Sequence, residues 1–449
     1  MDSVANDLKG LTSCEAVTTT LPERWSTYDA PQPGVIVNAT TEDDVAATVK
    51  YCAEKNIPFL AQGGANGWAE FNLTSNGVLI NLAALNQTTF NGNKTQATIG
   101  GGATVNSTIQ AADKAGAFVL TGNCNCVGTL GATLGGGYGN LMGTYGFGVD
   151  QLISARVVTA DGSLVTASES ENSDLFWAIR GAGPNFGIVT SAVFKSYPSE
   201  DRTGFNMALV FTPDNITEVV KTVEKVRENL QPAQNVYLYL TNGGPPSNTP
   251  AIVVTGFLLH ASEDEGKAAF QPLYDLGPVA ITNVTLPYSQ WNAAADSFCT
   301  RSQRKPGLNQ GITKLVPEQW TEIWDLYAEF QKKPSAENSV VIVEMYNLEK
   351  ARSIPADSTA FPHRDVNAQA FVIPWYGDAG LDDEALAFAS KVRDIWRSNE
   401  KTVNARRYIN FAHGDEGLDA IYGESVSKLK VIKQKWDPKN RFNQWFPIQ

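Results

Sequence analysis

The sequence lacks a long hydrophobic run and has a deficit of positive charge. No apolar stretch approaches the roughly 20 residues that a transmembrane helix needs, so we expect no membrane span. The 449 residues include 35 Lys and Arg against 47 Asp and Glu, for a net charge of −12. Surfaces that bind nucleic acids or anionic membranes need clustered Lys and Arg. The acidic balance therefore argues against both kinds of partner.

Histidine and cysteine are also scarce. The three His residues, His260, His363 and His413, lie far apart, and no two cysteines have C-x-x-C spacing, so we expect no metal site. The five cysteines are Cys14, Cys52, Cys124, Cys126 and Cys299. Because five is an odd number, at least one thiol stays outside any internal disulfide. Such a thiol is either a small buried hydrophobe or a group with another use.

Glycosylation sequons, by contrast, are frequent. Seven N-x-S/T triplets begin at Asn38, Asn72, Asn86, Asn93, Asn106, Asn215 and Asn283. This number favours passage through the secretory route and an extracellular, glycosylated protein, although Asn- and Thr-rich sequences also produce such triplets by chance. No hydrophobic leader follows Met1, so the chain is either not secreted or separated from its signal peptide.

The length and the hydrophobic patterning predict an α+β protein of two domains. Up to Tyr197-Pro198, short strands alternate with helices and glycine-rich connections, and beyond that point the predicted elements are longer. Predicted strands are 35–37, 58–61, 78–80, 98–99, 118–120, 155–158, 187–190, 207–211, 236–240, 252–259, 339–345 and 370–375. Predicted helices are 45–55, 105–115, 216–230, 263–276, 318–330 and 383–397, while the first 30 residues read as a lead-in.

Two glycine-rich segments carry the strongest functional signal. One spans 62–68, after a predicted strand, and the other spans 122–139 and holds seven glycines within its 18 residues. Glycines let the backbone approach a ligand, and successive free N–H groups bind anions, so the pair predicts a cradle for a cofactor diphosphate. The phosphate loop of nucleotide hydrolases is missing, and the G-x-G at Gly181 follows a predicted helix, so we interpret 181–187 as a turn.

These segments resemble the berberine bridge enzyme-like group of FAD-linked oxidases, within the vanillyl-alcohol oxidase superfamily, and most closely its fungal members. The most specific matches are Cys124-x-x-Val127-Gly128, the run 135–139 and the closing segment 436–442. The resemblance implies a PCMH-type FAD-binding domain made of both chain ends, 1–199 (core about 31–198) and 405–449. It further implies a central substrate domain, 200–404, with an antiparallel sheet covered by helices, in a protein expected to be monomeric.

The resemblance also implies which residues contact FAD. The loops at 63–67 and 129–131 would hold the diphosphate, 187–189 would contact the adenine end or the flavin edge, and Asn410 would lie near the isoalloxazine. The full set is Gln62, Gly63, Gly64, Ala65, Asn66, Gly67, Cys124, Val127, Gly128, Thr129, Gly131, Ala132, Leu134, Gly136, Gly137, Tyr138, Gly187, Ile188, Val189 and Asn410.

Members of the family often attach the flavin twice, through a His in the first loop and a Cys in the second. Here the His position falls on Asn66 or Ala65, so we expect no histidyl bond. Cys124 matches the attachment Cys and allows a single 6-S-cysteinyl bond, with Cys126 as the rival and a non-covalent FAD as the alternative. Cys14 and Cys52 match an N-terminal disulfide of the family.

The catalytic base is less evident. The family pattern Y-x-N-Y reads Tyr408-Ile409-Asn410-Phe411 here, and Phe411 cannot accept a proton. The resemblance therefore leaves Tyr408, His413, Glu344 and Gln369 as candidates. Each also has a plain structural interpretation, as a core residue, a turn cap or a solvent-facing side chain.

These features predict an FAD-dependent oxidase that transfers a hydride from a small fungal natural product to flavin N5 and is reoxidised by O2. The expected substrate is an alcohol, a phenol or an amine. One alternative is an oligosaccharide oxidase with an aromatic platform, for which Trp68, Trp291, Trp375 and Tyr376 are candidates unless they belong to the core. The other is a cyclase or pericyclase in which FAD is only structural.

Overall fold

A computed structural model describes residues 1–12, 17–18, 20–68, 71, 73–244, 249–400 and 406–449. Its strands are β1 (Val17–Thr18), β2 (Val35–Asn38), β3 (Phe59–Gln62), β4 (Val78–Asn81), β5 (Thr88–Phe90), β6 (Gln96–Gly100), β7 (Ala117–Phe118), β8 (Leu152–Val158), β9 (Leu164–Ser168), β10 (Ile188–Lys195), β11 (Tyr197–Pro198), β12 (Thr203–Phe211), β13 (Gln234–Gly244), β14 (Thr249–Leu259), β15 (Ala280–Pro287), β16 (Leu308–Ile312), β17 (Val340–Tyr346) and β18 (Ala368–Ile373).

The α-helices are α1 (Asp2–Leu11), α2 (Glu42–Lys55), α3 (Val105–Ala115), α4 (Thr129–Leu134), α5 (Met142–Tyr145), α6 (Ser173–Ala182), α7 (Ile216–Glu228), α8 (Glu263–Ala269), α9 (Gln271–Tyr274), α10 (Gln319–Phe330), α11 (Glu349–Arg352), α12 (Asp382–Arg397), α13 (Leu418–Tyr422) and α14 (Val426–Trp436). No helix in these ranges is long and apolar enough to cross a membrane.

The strands before residue 199 build two main sheets. One has the order β1-β2-β4-β3, with β4 parallel to both β2 and β3. The other is antiparallel and has the order β5-β6-β10-β8-β9. Helix α2 starts at a capping box in which Thr41 and Asp44 satisfy each other's backbone N–H groups. This helix joins β2 to β3, and β3 leads directly into the first glycine-rich segment.

The middle of the chain forms one antiparallel sheet of seven strands, in the order β15-β12-β14-β13-β17-β18-β16. Helices α7, α10 and α12 cover one of its faces and share a core with Leu238, Val343 and Val372. Because side chains alternate along a strand, Tyr237 and Glu344 project from the opposite face. That second face lies against the glycine-rich segments.

The C-terminal segment returns to the first half of the chain. Tyr408, Tyr422 and Leu429 belong to the same apolar core as the five-stranded sheet. The buried Lys433 ammonium donates to Asn185 O and pairs with Asp437, each at 2.8 Å. Both ends of the chain thus pack into one unit.

The sequence located most elements, with three instructive differences. Helix α3 has the predicted bounds, but the predicted helix 263–276 is split at Phe270 into α8 and α9, where Pro272 occupies the first turn of the second piece. Helix α7 ends at Glu228, two residues before the predicted end at residue 230. The N-terminal lead-in contains α1, whose Leu8 is buried.

Candidate cofactor and substrate site

The two glycine-rich segments meet at Gly64 and Gly128. A Cβ atom added to Gly64 would overlap the backbone of Gly128, and one added to Gly128 would lie 2.8 Å from Gly64 N. Only glycine therefore allows this approach. The contact brings the turn after β3 to the start of α4, as a shared diphosphate cradle requires.

The first segment presents unpaired backbone donors. None of the N–H groups of residues 63–67 has a protein acceptor among the described residues. Ala65 adopts a left-handed conformation with φ of 60°. When a left-handed residue follows a right-handed one, the successive backbone N–H groups point into a common hollow that binds anions. The geometry of this loop therefore suits a phosphate.

A single cavity of about 410 Å³ runs from these segments to the seven-stranded sheet, within the range of small-molecule sites. Of the predicted FAD contacts, it is lined by Gln62, Gly63, Gly64, Ala65, Asn66, Gly67, Cys124, Val127, Gly128, Gly131, Ala132, Leu134, Tyr138, Gly187, Ile188, Val189 and Asn410. Gly131 is exposed to it, and a Cβ there would meet no protein atom within 4 Å. Space is thus available for a ligand to approach this backbone.

Three predicted contacts lie outside the lining. Thr129 is buried, with its hydroxyl 2.9 Å from that of Thr108. Gly136 and Gly137 have φ values of 144° and 83°, and a side chain at either would strike its neighbours, so they serve the turn. Residues that the sequence did not single out also line the cavity, among them Gly183, Pro184 and the run 442–445. The segment 181–187 leads into β10, as predicted, although its first two residues belong to the kinked end of α6 and a short 3-10 helix follows at Gly183–Asn185.

Three sulfur atoms cluster beside the cavity. Cys126 and Cys299 form a disulfide with a Cα–Cα distance of 5.6 Å, across a separation of 173 residues. Cys124 carries a free thiol whose sulfur lies 3.6 Å from that of Cys126 and 3.7 Å from that of Cys299. Burial raises the pKa of the Cys124 thiol to about 11. Although three cysteines lie within reach of one ion, two are oxidised, so the cluster is not a set of thiolate ligands.

The structure separates the two candidate attachment cysteines, since Cys124 lines the cavity whereas the Cys126 sulfur belongs to the disulfide. The resemblance implied a disulfide between Cys14 and Cys52. Cys52 is instead a buried free thiol, and Cys14 lies outside the described residues. Asn66, one of the two residues on which the family's His position falls, donates to Gly64 O at 2.7 Å and to Cys126 O at 2.8 Å. Its amide ties the two segments together.

The sheet side of the cavity holds a hydrogen-bonded acidic group. Glu344 is the cross-strand partner of Tyr237, and Tyr346 Oη donates to Glu344 Oε2 at 3.0 Å. Tyr346 also shares a short hydrogen bond with the Tyr237 hydroxyl, and Asn123 Nδ2 donates to both hydroxyls. Burial raises the pKa of Glu344 to about 7 and holds the pKa values of both tyrosines well above their ordinary value. A carboxyl that titrates near neutrality suits a general base.

The other three catalytic candidates have structural partners. Tyr408 lines the cavity, but its hydroxyl accepts from Gly137 N at 3.0 Å and Asn410 Nδ2 at 2.6 Å. Gln369 lies opposite Glu344 on β18, donates to Tyr138 Oη at 2.9 Å and does not line the cavity. His413 is buried outside the lining, with its backbone N–H bound to Glu416.

Aromatic and aliphatic side chains cover the rest of the sheet side. Trp25, Trp68, Ile342, Phe371 and Ile373 form a buried cluster, against which Tyr239, Phe298 and Phe411 pack. The rings of Trp68 and Phe411 stack with centroids 5.7 Å apart. Of the four residues considered as a sugar platform, only Trp68 lines the cavity. Trp291, Trp375 and Tyr376 are buried elsewhere, so the alternative that they belong to the core is correct.

Comparison with known proteins agrees with this arrangement. A family model described as an FAD binding domain matches residues 33–168, and one described as berberine and berberine like matches residues 407–448. The FAD-linked oxidoreductase OXR1 of Pyricularia oryzae is 35% identical over 436 residues, which cover 94% of this chain and 85% of that protein. The chain belongs to the berberine bridge enzyme-like FAD-linked oxidoreductases. The FAD-linked oxidoreductase hasG of Aspergillus fumigatus is 32% identical and is covered over 92% of its length.

Solved structures show the same fold for this FAD-linked oxidoreductase. A chitooligosaccharide oxidase superposes with a TM-score of 0.85 at 20% identity, covering 100% of this chain and 99% of that one. The xylooligosaccharide oxidase of Myceliophthora thermophila C1 superposes with a TM-score of 0.85 at 21% identity, covering 100% of this chain and 98% of that one. A glucooligosaccharide oxidase of Acremonium strictum with a 6-S-cysteinyl, 8α-N1-histidyl FAD superposes with a TM-score of 0.81 at 21% identity, covering 95% of this chain and 94% of that one. At this identity the likeness shows the fold and leaves the substrate open.

The residues present fit FAD in this berberine bridge enzyme-like chain. The nest at 63–67 offers donors for a diphosphate, and Gly131 leaves room for close approach. Cys124 and Glu344 line the same cavity. When bound, FAD supplies a two-electron acceptor, so the site has the parts of an FAD-dependent oxidoreductase.

Proposed function

We propose that this FAD-dependent oxidase acts on a small, largely apolar alcohol, phenol or amine of fungal secondary metabolism, with Glu344 as the catalytic base. The observation that carries the proposal is the position of Glu344, a carboxyl with a pKa raised to about 7. It is the one acidic residue among the described residues that line an apolar cavity, and this cavity continues into the glycine loops. The cofactor would accept the hydride, and O2 would reoxidise it. Glu344 would take the proton of the substrate hydroxyl or amine.

Hydrogen bonding prepares Glu344 for this role. The Tyr346 hydroxyl donates to one carboxylate oxygen, which leaves the other oxygen available to a substrate. Tyr237 and Asn123 complete the group and hold Tyr346 in place. In an alcohol or an amine, removal of the proton from the heteroatom while hydride leaves the adjacent carbon avoids a build-up of positive charge. In a phenol, the hydride would have to leave a substituent carbon conjugated with the ring, because the carbon that bears the hydroxyl has no hydrogen.

The substrate class follows from the lining. Trp25, Trp68, Phe371 and Phe411 present ring faces and edges, and Ile342 and Ile373 add aliphatic surface. Oligosaccharides need many polar partners for their hydroxyl groups, since an unpaired buried hydroxyl costs about 1–3 kcal/mol. The lining therefore favours a natural product with an aromatic or isoprenoid body over an oligosaccharide, which is the second candidate because of the structural neighbours.

Covalent attachment would use one bond only. The Cys124 residue lines the cavity, and Asn66 or Ala65 occupies the position of the attachment His, so we expect a 6-S-cysteinyl bond without a histidyl bond. The raised pKa of Cys124 disfavours the reactive thiolate in the protein alone. A non-covalent FAD is therefore the alternative, and acid precipitation distinguishes the two.

We further propose an FAD domain of residues 1–199 and 405–449, a substrate domain of 200–404 and a secreted monomer. The C-terminal segment packs into the same core as the five-stranded sheet, which supports the assignment of both chain ends to one domain. Among the described sequons, the side chains of Asn86, Asn93, Asn106 and Asn215 are exposed, as glycosylation requires. Glycosidase treatment followed by intact-mass measurement tests the glycosylation, and size-exclusion chromatography with light scattering tests the monomer.

Anaerobic mixing with candidate substrates tests the reaction. An oxidase substrate bleaches the flavin absorbance, and admitting air restores the absorbance and forms peroxide. Oligosaccharides serve as the comparison panel, and apolar alcohols, phenols and amines are expected to bleach faster. If product forms while the flavin stays oxidised and no peroxide appears, the cyclase or pericyclase alternative is correct.

A further inference from the structure

Two arginines lie against the first glycine loop, and neither has a carboxylate partner among the described residues. Arg24 Nη1 donates to Gln62 Oε1 at 2.6 Å, and its Nη2 donates to Gly67 O at 3.0 Å. Arg301 Nη2 donates to Gly64 O at 3.2 Å. Within the described ranges, neither guanidinium lies within ion-pair distance of an acidic group. Both cations are thus held by neutral oxygens.

Arg24 lines the cavity itself. Its Nε is buried and has no hydrogen-bond partner in the described part of the chain, and its guanidinium packs over the Phe71 ring at 5.1 Å. Burial, followed by repulsion from Arg301, lowers the pKa of Arg24 to about 10. A desolvated cation next to a second cation is costly unless an anion completes the site.

We propose that Arg24 and Arg301 form the cationic part of the cofactor's diphosphate site, with Arg24 in direct contact and Arg301 positioning Gly64. The inference rests on the proposed placement of FAD over residues 63–67. Backbone N–H groups would bind the phosphate oxygens on one side, and the Arg24 guanidinium would neutralise the charge from the other. A guanidinium is suited to this because its planar donors match phosphate oxygens.

Fragments of the cofactor separate the diphosphate from the flavin. The full chain with Cys124→Ser, which cannot form the thioether, is stripped of flavin and titrated with FAD and with riboflavin, which has no phosphate. Arg24→Gln is expected to weaken FAD binding roughly tenfold or more, because charge-assisted hydrogen bonds are lost. Riboflavin affinity should stay unchanged. ADP should raise the melting temperature of the parent protein, and this rise should shrink with Arg24→Gln.

Controls keep the outcome interpretable. Arg202→Gln removes a guanidinium that pairs with Asp113 at 2.9 Å, away from the cavity lining, and should leave all affinities unchanged. Arg24→Lys keeps the charge and is expected to have a higher FAD affinity than Arg24→Gln. The FAD affinity of Arg24→Gln should depend less on salt concentration than that of the parent, because one charge interaction is missing. Should Arg24→Gln bind FAD as tightly as the parent, or lose riboflavin equally, the inference is wrong. A parent protein that binds no FAD would instead overturn the proposed function.

Discussion

Tyr346 donates its hydroxyl hydrogen to Glu344 Oε2 at 3.0 Å, and the two residues are two positions apart on β17. Both side chains therefore lie on one face of the sheet. That face turns toward the glycine loops, so the only carboxyl among the described lining residues lies at the wall of the cofactor cavity. The register of the sheet thus places this hydrogen-bonded pair at the cavity in which we propose that the flavin binds.

Flavin reduction by substrate should depend on pH through Glu344. Its pKa is about 7, and only the ionised form accepts a proton, so the anaerobic rate of flavin bleaching should rise from about pH 5 to about pH 8. Glu344→Gln should lower the rate by roughly 100-fold or more and remove the pH dependence. The exposed Glu218→Gln serves as the matched control. An unchanged pH profile in Glu344→Gln would exclude this carboxyl as the base.

Stability should respond to the same group. The pKa of Glu344 is raised in the folded state from 4.5 to about 7, so its ionisation destabilises the fold. The cost is absent below about pH 4.5, grows between the two pKa values and is complete above about pH 7. Glu344→Gln should therefore increase the free energy of unfolding by about 3 kcal/mol at about pH 8 and hardly at pH 4. Urea denaturation at both pH values measures the difference, and an equal effect at both would contradict it.

Cysteine variants should locate the flavin bond. Acid precipitation of the wild-type protein is expected to give a yellow pellet, and Cys124→Ser should release the flavin into the supernatant. Cys126→Ser removes a disulfide sulfur and is the matched control, since it should leave the pellet yellow. Release from both the wild type and Cys126→Ser would show a non-covalent FAD instead.

A methyl group at Gly131 should interfere with the cofactor and leave the protein intact. The added Cβ would meet no protein atom within 4 Å and would face the cavity, so Gly131→Ala should keep the flavin-free melting temperature. FAD affinity should fall, because the ligand would lose its close approach to the backbone. Gly92→Ala, at a site that is also open, is the control. Equal FAD affinities in the two variants would place the cofactor away from Gly131.

The sequence anticipated what is local. The two glycine segments, the helix α3 and the strand that carries Glu344 are encoded in short patterns, and the structure has them in place. Asn66 could be identified as a departure from the family because the motif around it is contiguous.

Contacts between residues far apart in the chain could not be predicted from the sequence, because no short pattern encodes them. Tyr237 reaches Glu344 only through the register of β13 and β17, and Cys299 reaches Cys126 across 173 residues. The sequence did contain a signal for the Tyr237 contact. Tyr237 and Tyr239 alternate with apolar residues, which places both rings on one face of the strand. Nothing local marked Arg24 or Phe298, because loops far apart in sequence bring them to the cavity.

The decisive measurement is the visible absorption spectrum of the purified protein, recorded anaerobically before and after an apolar alcohol, phenol or amine is added. We expect one oxidised flavin per chain in the cavity beside Glu344, bleached by substrate and restored by air with release of peroxide. A colourless protein that releases no nucleotide on denaturation, and takes up none when FAD is supplied, would overturn the assignment of an FAD-dependent oxidase.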